Sequence, residues 1–231
     1  MNVCLISYTP DPEFVCAIAA RNCYSADSFH DIADLVMKSD QSRFLRGVIA
    51  SGHHSVLEHV SFTFTIEGVS RALLAQITRH RIASFSVQSQ RYVSMEEGFD
   101  YVIPPRIRAL GDAAVSEFNA QMAQMHAWYV GWQQKLGFGE SANEDARFVL
   151  PNACTTQIVM TMNARELLHF FSLRCCNRAQ WEIRAVADQM LRLCYDAAPA
   201  IFAYAGPGCV RGLCPEGKKC CGNPRKDLIR E

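Results

Sequence analysis

The stretch "HVSFTFTIEGVSRALLAQITRHRIASFSVQSQRYV", residues 59–93, changes its apolar period twice, and those changes decide the fold class. Val60, Phe62, Phe64 and Ile66 alternate with Ser61, Thr63 and Thr65, the two-residue period of a strand with one buried face. From Ser70 the spacing lengthens. Leu73, Leu74 and Ile77 share one side of a helix that Ser70 caps and that runs to His80. Residues 82–93 return to Ser, Phe, Val and Tyr and read as partly extended, an alternation that would put Ser89 and Arg91 on the same side.

Outward from this stretch the same mixture continues. "NVCLISY", 2–8, reads as a strand and "DPEFVCAIAARNC" as a helix with Pro in its first turn. "SRFLRGVIA", 42–50, has helical spacing and stops at Gly52. Pro104 and Pro105 open a long helix over 106–136 that "GFGES" breaks, and "NEDARFVL" forms another, ended by Pro151. "TTQIVMTMN" is β-branched and strand-like, while "ARELLHFFSLRC" and "AQWEIRAVADQMLRLCYDAAPAIFAYA" are amphipathic helices. The expected fold is α+β, a mixed sheet with long helices. The absence of GxGxxG and GxxxxGK[ST] leaves a Rossmann or P-loop site without support. There is no internal repeat. One domain is expected over 1–205, followed by a loop-like Cys-rich tail over 206–231.

The 231 residues carry 23 Lys and Arg against 23 Asp and Glu, a formal net charge of zero. A generic nucleic-acid coat would be basic, so neither nucleic acid nor membrane is expected as a partner. The first residues lack the basic and apolar regions of a secretory signal, so a cytoplasmic protein is expected, with its eleven cysteines as reduced thiols.

Charge is instead local. Arg79, His80 and Arg81 are followed by small hydroxylic residues and by Arg91, and no carboxylate occurs between Glu67 and Glu96. Arginine's planar fork suits phosphate or a flat carbonyl-bearing ring, and hydroxyls beside it complete a cradle. The competing reading is that these cations pair with distant acids or lie on a solvated face. Two other concentrations stand out. "GHHSVLEHVSF", 52–62, gathers His53, His54, Glu58 and His59 without the HExxH or HxxEH spacing of a zinc site. In "TMNARELLHFFSLRCCNRAQWEIR", 161–184, Asn163, Arg165, His169 and Arg174 punctuate an apolar helix. Arg165 and His169 share a face, and Glu166 is available to neutralise Arg165. Cys209, Cys214, Cys220 and Cys221 are spaced C-x4-C-x5-C-C, without the CxxC knuckle that marks zinc. No metal site is expected. Cys175 and Cys176 have no visible base beside them and read as structural.

Taken together and in order, the three concentrations resemble the flavin-dependent thymidylate synthases. That family is marked by Arg-His-Arg, seven residues, then Ser, which here is Arg79-His80-Arg81 and Ser89, with Gln90-Arg91-Tyr92 behind it. The resemblance covers roughly residues 1–205. It implies an α+β fold, a homotetramer with active sites between subunits, FAD as cofactor, and NADPH and methylenetetrahydrofolate as co-substrates in methylating dUMP without a covalent enzyme adduct. It implies FAD contacts from Ser55, Arg79, His80, Arg81, Val87, Asn163, Arg165 and His169, with His53 and Glu58 supporting the flavin pocket. For dUMP it implies Gln76, Arg79, Ser89, Gln90, Arg91, Arg147 and Arg174, and it makes Arg174 the catalytic residue that activates the uracil ring. Val87 stands where many members carry Glu or Gln, so only a backbone contact is expected there. His169 stands where some members carry Asn. The tail lies outside the resemblance. The alternative is a non-enzymatic nucleotide- or RNA-binding protein using the basic 79–91 segment.

Overall fold

The structure is a computed structural model that describes residues 1–228; the last three positions of the expected tail, 229–231, lie outside the described residues. In chain order its elements are β1 (Asn2–Tyr8), α1 (Pro12–Asn22), α2 (Phe29–Met37), α3 (Ser42–Ala50), β2 (Ser61–Ser70), α4 (Arg71–Ile77) and β3 (Ala83–Val87). There follow α5 (Pro105–Arg108), α6 (Asp112–Leu136), α7 (Gly139–Ala146), β4 (Thr155–Asn163), α8 (Ala164–Arg174), α9 (Trp181–Ala197) and α10 (Pro199–Phe202). One sheet takes the order β1-β2-β4-β3, a mixed α+β architecture as expected. Partners rise along β2 as they descend along β4. Ala164 N–H reaches Val60 O at 2.9 Å, the Thr63 and Thr161 hydroxyls meet at 2.9 Å, and Ala72 N–H reaches Asn152 O at 3.1 Å, so the two strands are antiparallel.

The chain folds as two compact units. The first holds Met1–Asn2, Ile66–Arg79 and Ser86–Ile158, and the second holds Val3–Thr65, His80–Phe85 and the chain from Val159 onward. The first unit is built around Tyr129, which is fully buried with Met95, Ala146 and Cys154 and flanked by Phe99 and Leu150. The Tyr129 hydroxyl accepts from Met95 N–H at 3.2 Å and from Gln133 Nε2 at 3.1 Å, and donates to Asn143 Oδ1 at 3.3 Å. Asn143 in turn donates to Arg91 O at 3.1 Å, so a buried polar chain fixes the 91–95 segment. The second unit centres on phenylalanines. Phe62 meets Phe202 edge-on with centroids 5.5 Å apart, and Phe171 packs on Phe202 and on Phe170. The β2 alternation holds: Phe62, Phe64 and Ile66 are fully buried, while Ser61, Thr63 and Thr65 are partly exposed.

Several expected boundaries shift. The helix after Ser70 ends at Ile77 rather than His80: Thr78 N–H still reaches Leu74 O at 3.2 Å, but Arg79 N–H turns to Gln76 O at 3.3 Å and tightens the last turn. β3 stops at Val87, and a turn over 90–92 closes with Val93 N–H on Ser89 O at 3.0 Å, so Ser89 and Arg91 do not share a strand face. The helix expected over 106–136 is two helices, parted at Gly111, whose φ of +97° a side chain would resist. The GFGES break is short, since α7 begins at Gly139. α2 has no counterpart in the sequence reading; Ser28 caps it by accepting from Asp31 N–H.

Candidate functional site

In the second unit, β4 runs directly into α8. Asn163 is the hinge, its Oδ1 accepting from Glu166 N–H at 2.9 Å as an N-cap. That cap sets the phase of the helix: Glu166 turns inward and is buried, while Arg165 and His169 face out together. A 3-10 turn over His54–His59 carries Glu58, which forms an ion pair with Arg165. These groups border a cavity of about 980 Å³, whose lining includes Glu58, Asn163, Arg165 and His169. Sequence reasoning missed three further members of its wall: Arg46 on α3, Tyr204 after α10, and Arg211 in the tail. Arg211 is aimed by donating to Tyr204 O at 2.7 Å. Ile49, Ile82, Leu168 and Ile201 supply apolar wall, and Glu166 and Ser172 add polar groups. Of the two adjacent histidines, His54 lines this cavity and is held by Ile49 O at 3.1 Å, whereas His53 packs edge-on against Tyr24. Ser55 is exposed on the same turn.

Behind this wall His80 is nearly inaccessible, at 5 % exposure. Its Nδ1 lies 2.9 Å from Glu166 Oε1, and its Nε2 accepts from Arg174 Nε at 3.1 Å. A nitrogen that accepts carries no proton, so the imidazole is neutral and Nδ1 donates to the carboxylate. Burial lowers the His80 pKa, and the Arg174 charge lowers it further against the pull of Glu166. The middle residue of the Arg-His-Arg run is therefore not a cation but a link between Glu166 and Arg174. Glu166 thus meets His80, and the carboxylate that pairs with Arg165 is Glu58, so the alternative in which Glu166 neutralises Arg165 is not realised. His80, Glu166 and His169 place their ligand atoms within 4.8 Å of one another, but the Arg174 guanidinium on His80 Nε2 blocks that nitrogen as a metal donor. Arg174 itself borders a second cavity, of about 520 Å³, lined largely by the tail.

In the first unit the remaining residues gather around the end of α4 and the turn after β3. Ser89 Oγ accepts from Arg91 N–H at 3.2 Å, and Gln90 Nε2 points to Cys154 Sγ at 3.7 Å. Gln76 donates to Ala72 O at 3.3 Å, and Val87 is the last residue of β3. Arg91 has found the acids absent from its own neighbourhood in sequence. It pairs with Glu140 at 2.6 Å and Glu144 at 2.9 Å, both on α7. Arg147 donates to Glu144 O at 3.1 Å and lies close enough to Arg71 to disfavour its charge. Arg71 was not singled out by the sequence. One of its nitrogens donates to Gln88 O at 2.7 Å, while its buried Nε has no hydrogen-bond partner among the described residues. Two guanidiniums held near each other, one with an unsatisfied buried N–H, are a cationic pair whose charge no acid among the described ion pairs offsets. Arg79 and Arg81 are exposed and form no ion pair among the described residues.

The thiols argue differently. All eleven cysteines are free, and Cys175 is fully buried, with its pKa pushed far up by burial and by Asp188. It is inert as a nucleophile.

A cleft of this size that carries Arg46, Arg165 and Arg211 beside Glu58 and Glu166, with apolar side chains between them, has the make-up of a small-molecule site. Residues 4–200 match the profile of the thymidylate synthase complementing protein family. The chain is 50 % identical over its full length to 99 % of the flavin-dependent thymidylate synthase of Geobacter sulfurreducens. It is also 50 % identical to that of Nitratidesulfovibrio vulgaris, with 94 % of this chain and 93 % of the relative covered. For that of Pyrococcus furiosus the identity is 40 %, over 94 % of this chain and 90 % of the relative. The chain belongs to this family and is an enzyme of the flavin-dependent thymidylate synthase type.

Proposed function

We propose that the protein methylates dUMP to dTMP with FAD as cofactor, methylenetetrahydrofolate as one-carbon donor and NADPH as reductant, without a covalent enzyme–dUMP adduct. The observation that carries the reading is the 980 Å³ cleft bordered by Glu58, Asn163, Arg165 and His169, four residues the sequence had marked. Its size lies at the upper end of the ~300–1,000 Å³ usual for such sites. Three arginines suit a pyrophosphate, and the Ile49, Ile82 and Leu168 wall suits a flat ring, so the residues present fit a flavin dinucleotide.

FAD, when bound, supplies the hydride chemistry that the side chains lack. The chain's own residues bind, aim and hold charge. Arg165, with its carboxylate partner Glu58, and His169 would hold the cofactor at the mouth of the cleft, with Ser55 and His53 beyond it. Arg79 and Arg81 would meet its phosphates, and Val87 could offer only its backbone. Gln76, Ser89, Gln90, Arg91 and Arg147 would hold dUMP, with Arg79 shared. Arg174 would stabilise negative charge developing on the uracil ring, an effect worth about 3–4 kcal/mol for one well-placed donor. His80 Nε2 accepts from Arg174 Nε and so fixes the orientation of that guanidinium.

A cytoplasmic homotetramer with sites between subunits completes the proposal. Trp128, Trp132 and Leu136 form a stripe along α6 that is 53 %, 46 % and 46 % exposed, the kind of surface a second copy covers. No helix among the described residues is long and apolar enough to cross a membrane.

The test is tritium release from [5-³H]dUMP with FAD, NADPH and methylenetetrahydrofolate, each omitted in turn. Release that needs all three is expected. A purified protein that stays colourless after FAD is added, or release that survives without flavin, would overturn the reading.

A further inference from the structure

We propose that the C-terminal tail is a thiolate site for zinc, with Cys209, Cys214 and the Cys220–Cys221 pair as its ligand set and Cys176 on the wall beside them. All five thiols line the cavity of about 520 Å³ at the end of α8. The tail folds without the means by which a segment of this size normally holds a shape. Residues 206–228 contain only three short 3-10 turns, over Gly208–Val210, Gly217–Lys219 and Lys226–Leu228, and the longer side chains they bury are few. Segments this poor in core rely on disulfides or metal. No disulfide joins any of the described cysteines.

The backbone around the sulfurs is arranged as thiolate ligands require. Gly222 N–H points at Cys220 Sγ at 3.4 Å, from two residues further along the chain. Arg225 N–H reaches Cys209 Sγ at 3.5 Å. Such N–H groups stabilise sulfur that carries negative charge, and loops that fold them onto the sulfur need glycine. Gly217 at φ +53° and Gly222 at φ +73° supply it. The loops are also brought together. A Cβ on Gly208 would lie 2.8 Å from Pro215 Cδ, so the turn that carries Cys209 is packed directly on the turn that follows Cys214.

Both loops are pinned to the α8–α9 corner. Arg178 pairs with Glu216 at 2.8 Å, Asn177 donates to Asn223 O at 2.9 Å, and Arg225 donates to Cys175 O at 2.7 Å and Asp188 at 3.0 Å. The sulfurs stand apart: among the described residues no three of them lie within 4.8 Å of one another, the span at which ligand atoms converge. Zinc would draw it shut at Zn–S distances of about 2.3 Å, each ligand thiol releasing its proton to solvent as its bond to the metal forms. Four thiolates leave no open position, so the metal would be structural rather than catalytic.

The experiment is metal analysis of the full-length protein, purified with reductant and without chelator. One zinc per chain is expected. Cys209→Ser, Cys214→Ser and the double change Cys220→Ser with Cys221→Ser should each lose most of it, while Cys4→Ser and Cys23→Ser retain it. Cobalt(II) added to the chelator-stripped wild type should give a thiolate-to-metal charge-transfer band, a readout independent of whether the variants fold. No zinc and no cobalt band in the reduced wild type would overturn the proposal. So would zinc retained in full by Cys214→Ser.

Discussion

Arg174 Nε donates to His80 Nε2 across 3.1 Å, and the opposite nitrogen of the same ring is spent on Glu166. A charged group is thus aimed by a neutral one that a carboxylate orients. This order requires His80 to stay unprotonated. The ordinary imidazole pKa is 6.5, and in the fold it is lowered. Above 6.5 both folded and unfolded chains hold the ring neutral. Below it the unfolded chain binds the proton first, so stability falls with pH through the window between the two values. Denaturation of the wild type should show that decline, and His80→Asn should lose it. Turnover should hold through that window, where the folded ring stays neutral, and fall only as pH drops through the lowered folded-state value, because a protonated Nε2 repels Arg174. For His80→Asn and Glu166→Gln, a lower kcat is expected with flavin absorbance retained. Equal loss of both would show the pair to be merely structural.

Arg91 is held by Glu140 and Glu144, all three side chains being nearly half exposed. Pairs of that kind contribute about 0–1 kcal/mol, so breaking them costs little stability. A phosphate must compete with these carboxylates for the guanidinium. Glu140→Gln should therefore lower the KM for dUMP with little change in Tm, and Arg91→Ala should raise it. Steady-state kinetics at fixed ionic strength decide the matter.

Arg71 carries a buried N–H without a partner among the described residues and sits within reach of the Arg147 charge. A charge-assisted hydrogen bond contributes about 1.5–3 kcal/mol, so Arg71→Gln should weaken dUMP binding by roughly 10- to 100-fold. Isothermal titration with dUMP measures it. The variant should fold normally, since the wild-type charge is disfavoured by burial.

Tyr129 has no exposed surface, and its hydroxyl joins Met95, Gln133 and Asn143. Tyr129→Phe removes that hub and should cost ~1–3 kcal/mol in urea denaturation. Because Asn143 also holds Arg91 O, the change should raise the KM for dUMP.

What the sequence showed and what it hid divide on physical lines. The β2 strand was legible because one of its faces is buried, which forces strict alternation from Val60 to Ile66. Asn163 and Arg165 were legible because a cap and an outward charge are local choices. The Glu166–His80 bond was not, since its partners lie 86 residues apart and packing alone brings them together. Nor were Glu140 and Glu144, whose approach to Arg91 depends on where α7 docks. His54 rather than His53 lines the cleft, a choice made by the entry angle of one 3-10 turn. Arg211 was hidden by its place in a tail that composition marks as loop.

Two of the three tryptophans, Trp128 and Trp132, lie on the exposed stripe of α6, one helical turn apart. Any event that covers that stripe moves both indoles from water into an apolar setting. The protein therefore carries its own optical gauge of self-association: diluting it should shift its emission to the red as copies part, with no label attached.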